Sequence, residues 1–214
     1  MVDPQTFYNA LVKSGVEFFT GVPDSLLSPL CACIAEHATE DKHIITANEG
    51  AAIALAAGNY LATAKPSLVY MQNSGLGNAI NPLLSLADPS VYAVPMLLMI
   101  GWRGEPGVND EPQHLAQGQV TVPMLDAMGI AYHRLPQDTT EAAALVKNLA
   151  EDALSEQRPI AILASKNSFA QYKADQNSDG ETLSLTREQA IAIILENINA
   201  DSSVVSSTGM ISRE

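Results

Sequence analysis

Glu49, three polar turns and one long loop hold the residues most suited to chemistry. Glu49 is the only charged residue between Lys42 and Lys65. It follows a short β-branched run, Ile44 to Thr46, and precedes an alanine- and leucine-rich stretch from Ala51. The first segment reads as a buried strand and the second as a buried helix with Asn48 as its N-cap. Glu49 then lies in the first helical turn, at the carboxyl end of a strand, where open α/β sheets bind ligands. Burying a carboxylate is costly unless it has a partner. Glu49 is therefore either a buried catalytic acid or a helix-start acid worth roughly 0.3–1 kcal/mol to the macrodipole.

Gly21 to Ser25, Asn73 to Asn78 and Gly101 to His114 also follow apolar strand-like segments. Their convergence on one sheet edge is a stronger signal than any one motif. Asn73-Ser74-Gly75-Leu76-Gly77-Asn78 approaches a dinucleotide fingerprint but has Ile80 in place of the third glycine, so the match fails. It reads equally as a tight turn or as a loop whose backbone approaches a ligand. In the loop Gly101 to His114, Arg103 suits an anionic group through paired hydrogen bonds. His114 suits proton transfer or anion contact. Asp110, Glu111 and His114 fit no standard metal spacing, and the two acids read as well as a solvated surface.

The elements that must position these residues alternate along the chain. Asp3-Pro4 opens a helix ending at Ser14-Gly15, Val16 to Gly21 is a strand, and Leu26 to Ala38 is a helix. Strands at Ile44 to Thr46, Leu68 to Met71, Met96 to Ile100, Tyr132 to Leu135 and Ile160 to Ala164 interleave with further helices. These are Asn48 to Leu61, one ending at Leu86, Thr121 to Met128 and Thr140 to Leu154. The pattern predicts an α/β fold, a mostly parallel sheet with helices on both faces. Lys166 to Glu181 reads as a linker and Thr186 as the cap of a helix over Arg187 to Asn199. Val204-Val205 reads as a strand and Ser206 to Gly209 as its turn, so a second domain is expected to follow.

Apolar residues make up 47% of the 214 and charged residues 16%, enough for a packed core. The net charge of −13 argues against nucleic acid as a partner. No apolar run approaches the ~20 residues of a membrane span, and Met1-Val2-Asp3-Pro4 opens no signal peptide. Cys31 and Cys33 point apart on a helix, so they are expected in the core, unpaired, in a reducing cytoplasm.

Gly-Val-Pro-Asp-Ser at Gly21–Ser25, Ala-Asn-Glu-Gly at Ala47–Gly50, Gln-Asn-Ser-Gly-Leu-Gly-Asn at Gln72–Asn78, and Gly-Trp-Arg-Gly-Glu-Pro-Gly with Asp-Glu-Pro-Gln-His at Gly101–His114 form a set. That set resembles the phosphonopyruvate and sulfopyruvate decarboxylases, thiamine diphosphate enzymes. The resemblance implies a pyrimidine-binding domain over residues 1–165, a linker over 166–186, and the start of a diphosphate-binding domain over 187–214. It implies decarboxylation of 3-phosphonopyruvate to phosphonoacetaldehyde and CO₂, with sulfopyruvate or another 2-keto acid as alternatives. A non-catalytic assembly module of the same fold is the reading of a different class.

The resemblance further implies that Glu49 hydrogen-bonds the cofactor's aminopyrimidine ring and helps activate it. Pro23, Asn73, Gly75 and Asn78 would border that ring. Asp24, or Ser25 beside it, matches an active-site acid of related enzymes, and His114 matches a loop histidine. On electrostatic grounds Arg103 and Gln113 are candidates for the phosphonate, with Ser25 also on the substrate side. No residue here matches a metal ligand. Mg²⁺ and the diphosphate are expected on the diphosphate-binding domain of a second subunit, giving a homo-oligomer that is at least a dimer.

Overall fold

Short apolar strands alternating with helices, of which those starting at Pro4, Glu49 and Thr139 are capped by side chains, build the sheet expected for the first part of the chain. The computed structural model describes residues 1–173, 185–199 and 201–205, and the chain divides into units Met1–Ala174 and Asp175–Glu214. Among the described residues of the first unit, the strands are β1 (Phe18–Gly21), β2 (His43–Ile45), β3 (Ser67–Gln72), β4 (Met96–Gly101), β5 (Ala131–Arg134) and β6 (Pro159–Ala164). They form one sheet in the order β2-β1-β3-β4-β6-β5, parallel at each pairing. The helices are α1 (Pro4–Lys13), α2 (Ser28–His37), α3 (Glu49–Thr63), α4 (Leu76–Pro82), α5 (Leu115–Ala127) and α6 (Thr139–Glu156).

Period-two alternation in the strands divides the core between two faces. Leu68 and Tyr70 of β3, Leu97 and Met99 of β4 and Ile160 of β6 pack with Phe7 of α1, Ile34 of α2 and Val146 of α6. Their neighbours Val69, Met71, Leu98 and Ile100 pack with Ile53 of α3, Ala79 of α4 and Leu125 of α5. Three helices therefore cover each face. Asp3 caps α1 by accepting the Thr6 N–H at 2.8 Å, with Pro4 at the first helical position. Asn48 caps α3 by accepting the Ala51 N–H at 2.9 Å, a contact worth about 1 kcal/mol.

Several boundaries and burials differ from expectation. The strand at Ile44 is not buried: β2 has one neighbour, and Ile45 is 61% exposed at the sheet edge. Helix α3 buries one face only, leaving Leu55 and Leu61 outward. The stretch from Leu26 begins as a tight 3₁₀ turn, Ser25–Leu27, before α2. After Pro82 the helix α4 widens into a π-turn, Leu83–Ala87. Helix α5 starts at Leu115, six residues before the predicted Thr121, so the preceding loop is shorter than expected.

The polar stretch after Ala164 starts inside the first unit. Phe169 is buried against Phe7 and bridges to Val2, because its ring completes the α1 core. The rest of the expected linker, 174–184, lies outside the described residues, as does the turn Ser206 to Gly209. In the second unit, α7 (Arg187–Asn197) carries a capping box between Thr186 and Gln189. Val204 and Val205 are exposed and not in a strand. Among the described residues no helix is long and apolar enough to cross a membrane.

Candidate active site

The chain runs from β1 to β2 on one side of β1 and then to β3 on its other side, and it is at such a switch point, outside the strands' carboxyl ends, that open α/β sheets form their crevice. The register puts Gly21 level with Ile45 and Tyr70, and Gln72 level with Gly101 and Ala164. The expected functional turns therefore leave the sheet along one edge.

Glu49 is buried, 8% exposed, at the start of α3. The Asn78 amide Nδ2 donates to Glu49 Oε2 at 2.8 Å. The other oxygen rests over the Cα of Gly75, where any side chain would occupy the carboxylate's own space. Gly75 is thus required by close approach rather than by an unusual φ. Asn78 is exposed, so the carboxylate sits at the crevice surface with one amide to orient it.

A second carboxylate, Asp24, is 6% exposed and caps the turn after β1. Its Oδ2 accepts the Leu26 N–H at 3.0 Å and lies against the bare Cα of Gly101. Burial pushes its carboxyl above the usual aspartate range, against the pull of the Leu26 N–H and the Arg103 charge. Pro23 and Ser25 flank it at the surface.

The loop after β4 brings Arg103 and His114 to the same place. Arg103 donates from NH1 to Ser25 Oγ at 3.2 Å and from NH2 to Asp110 Oδ1 at 2.7 Å. His114 Nδ1 lies 3.1 Å from Asp110 Oδ1. Gln113 is exposed beside it. Asn73 is fully buried, and its amide is spent within the protein. Nδ2 donates to the Arg103 carbonyl at 2.8 Å and to Thr121 Oγ1 at 2.9 Å, while Oδ1 accepts the Arg103 N–H at 3.2 Å. Asn73 therefore fixes the loop instead of presenting its side chain to a ligand.

The structure brings Glu49, Gly75 and Asn78 into one contact group, and Asp24, Ser25, Arg103 and His114 around another. Asp110, which the sequence read as well as a solvated surface acid, has a side chain only 11% exposed and central to the second group. Sequence reasoning missed Thr121 and Gln117, which reach Asn73 from α5. The Asp-x-x-x-His spacing was the available signal. Trp102 is buried in the core, with its Nε1 donating to the Gly118 carbonyl at 2.9 Å. Cys33 is buried, Cys31 half-buried, and both are unpaired. Among the described residues no group of three or more His, Cys, Asp or Glu is arranged to hold a metal ion.

A comparison with known families matches residues 4–130 to the thiamine pyrophosphate enzyme, N-terminal TPP binding domain. The chain belongs to that family, and within it to the phosphonopyruvate and sulfopyruvate decarboxylase group. It is 32% identical to a phosphonopyruvate decarboxylase of Streptomyces viridochromogenes, over 100% of this chain and 56% of that protein. It is 35% identical to a sulfopyruvate decarboxylase subunit alpha of Methanococcus maripaludis, over 74% of this chain and 92% of that protein. The chain thus spans about half the length of the first of these relatives. Among solved structures, a benzoylformate decarboxylase from Polynucleobacter necessarius shares the fold with a TM-score of 0.59 at 16% identity, over 82% of this chain and 32% of that one. The fold is thus the pyrimidine-binding α/β fold of thiamine diphosphate enzymes.

The Glu49 corner fits an aminopyrimidine. One carboxylate in an otherwise uncharged, small-residue surface, oriented by one amide over a bare Cα, can share a hydrogen bond with a ring nitrogen.

Proposed function

We propose that the protein carrying this chain is a thiamine diphosphate-dependent 2-keto acid decarboxylase that converts 3-phosphonopyruvate to phosphonoacetaldehyde and CO₂. The observation that carries this is the buried Glu49, held by Asn78 over Gly75 at the crevice. When bound, the cofactor supplies the electron sink for the departing carboxylate. Glu49 hydrogen-bonds the aminopyrimidine and holds a proton at its ring nitrogen, with Asn78 and Gly75 fixing the carboxyl. Asp24, its carboxyl pushed up by burial, is the group on this chain suited to deliver a proton to the product carbon. Arg103 and Ser25 meet the phosphonate, with His114 and Gln113 at the mouth of the same loop. Pro23 borders the cofactor from the β1 turn.

The diphosphate and Mg²⁺ belong, in this reading, to a diphosphate-binding domain of a second subunit, in a homo-oligomer of at least two copies. The first unit serves as the pyrimidine-binding domain, with 187–214 opening the next. A cytoplasmic location accords with the two unpaired cysteines. Sulfopyruvate is the second reading, favoured by the match to almost the whole of an archaeal alpha subunit.

Steady-state assay of the full-length protein on both keto acids separates the two, and faster turnover of sulfopyruvate would reverse the assignment. Glu49→Gln should abolish decarboxylation while circular dichroism stays unchanged. Retained activity would remove the role given to Glu49, whereas a native full-length protein that decarboxylates neither acid would favour the non-catalytic assembly module.

A further inference from the structure

The loop between β4 and α5 withdraws from water a carboxylate that the proposed chemistry does not use. Asp110 Oδ2 accepts the Gly104 N–H at 2.8 Å. Its Oδ1 accepts the Glu111 N–H at 2.8 Å and Arg103 NH2 at 2.7 Å, and lies 3.1 Å from His114 Nδ1. Arg103 Nε and NH2 are themselves 3.2 and 3.1 Å from that same ring nitrogen. The opposite nitrogen, Nε2, makes no hydrogen bond among the described residues. Arg103 NH1 stays on the side of Ser25, which is exposed.

The backbone is shaped to permit this grip. Gly104 has φ +66°, a conformation that turns its N–H to Asp110 and that other residues rarely adopt. A side chain there would strike the His114 carbonyl, and one at Gly118 would strike the Gly104 carbonyl. Burial raises the Asp110 carboxyl, but the Gly104 and Glu111 N–H groups, His114 and Arg103 outweigh it and bring it to about 2.

We propose that Asp110 is the positioning residue of an anion subsite, holding Arg103 and His114 side by side across from Ser25 to receive the second anionic group of the keto acid. The substrate class, a keto acid bearing a phosphonate or sulfonate, rests on the function proposed above. A free arginine must be ordered when it binds an anion, and a gripped one has already been ordered. The direction of the effect separates positioning from charge. A carboxylate near an anion repels it, so as a bare charge its removal would tighten binding. As a positioning group, its removal weakens binding.

The test uses phosphonoacetate, which lacks a keto carbon and cannot react, titrated calorimetrically into the full-length protein. Asp110→Asn is expected to weaken phosphonoacetate binding at least tenfold while thiamine diphosphate affinity changes less than threefold. Arg103→Lys is expected to weaken it as well, because an ammonium cannot span Asp110, His114 and Ser25 together. The double variant should bind no worse than the weaker single variant, since both act through one contact. Unchanged or tighter binding in Asp110→Asn overturns the proposal, as does an equal loss of cofactor affinity. If Asp110→Asn does not fold, full affinity in Arg103→Lys overturns it. If the native protein decarboxylates neither acid while phosphonoacetate binding still depends on Asp110, the function reading fails and the positioning role stands.

Discussion

Asp24 and Asp110 are both withdrawn from water at the same crevice, yet they are held in opposite ways. Asp24 Oδ2 accepts the Leu26 N–H and rests on the Cα of Gly101, with the Arg103 charge and the Ser25 N–H as weaker pulls on its carboxyl. Burial wins there, and its carboxyl is pushed up. Asp110 collects two backbone N–H groups, a guanidinium and an imidazole, and is driven down to about 2. Glu49 shares the glycine contact, its carboxylate lying over the Cα of Gly75 with the Asn78 amide as donor. Few donors leave a carboxyl able to keep or share a proton; many donors fix it as an anion and make it an anchor. In the function proposed above, one side of the crevice handles protons and the other holds cations in place.

The sharpest challenge to this division is Gly75→Ala, which puts a methyl where the Glu49 carboxylate lies. Decarboxylation by the full-length protein should fall about 100-fold, the cost of a roughly 1 Å misplacement in a reacting site. Near-native turnover with an intact circular dichroism spectrum would show that Glu49 is not held by that contact. Asn78→Ala removes the one amide on Glu49 and should weaken thiamine diphosphate binding about tenfold, as for a lost hydrogen bond to a charged group. Calorimetric titration checks it.

Thermal melts against pH distinguish the two aspartates by sign. The folded-state carboxyl of Asp24 lies above its unfolded value of 3.8. Its favourable contribution is complete below pH 3.8 and is lost as pH rises through the folded value. Asp24→Asn should therefore raise Tm at pH 7, and the gain should vanish below pH 3.8. Asp110 behaves in reverse: its contribution is present above 3.8 and is lost as pH falls through about 2. Asp110→Asn should lower Tm at neutral pH, with the gap closing toward pH 2. A gain in place of that loss would undo the contrast. The smallest effect is expected at exposed Gln113, where Ala should change stability by less than about 0.5 kcal/mol. Its KM for the keto acid should move less than threefold.

The alternation of strands and helices was readable in the sequence because the strands are short apolar runs and several helices carry their own cap. Asp3, Asn48 and Thr186 cap the helices assigned to them. Glu49 was readable because it is a lone charge in an apolar stretch. Asp110 was not, because its surroundings are tertiary. It depends on the left-handed Gly104, on Gly118 packing against that glycine from α5, and on Arg103 arriving from β4. The early start of α5 was hidden for a related reason: Gly118 and Pro123 are poor helix formers, and the contacts of Gln117 with Asn73 and of Gly118 with Gly104 are long-range. The exposure of β2 was missed since β-branched residues mark a strand, not its rank within a sheet.

That last strand has a consequence for handling. An outermost ribbon with isoleucines facing outward, and with no strand beyond it among the described residues, is adhesive toward any other extended chain. Concentrated preparations of this chain alone should scatter light as they age, and a single lysine in place of Ile45 should keep them clear.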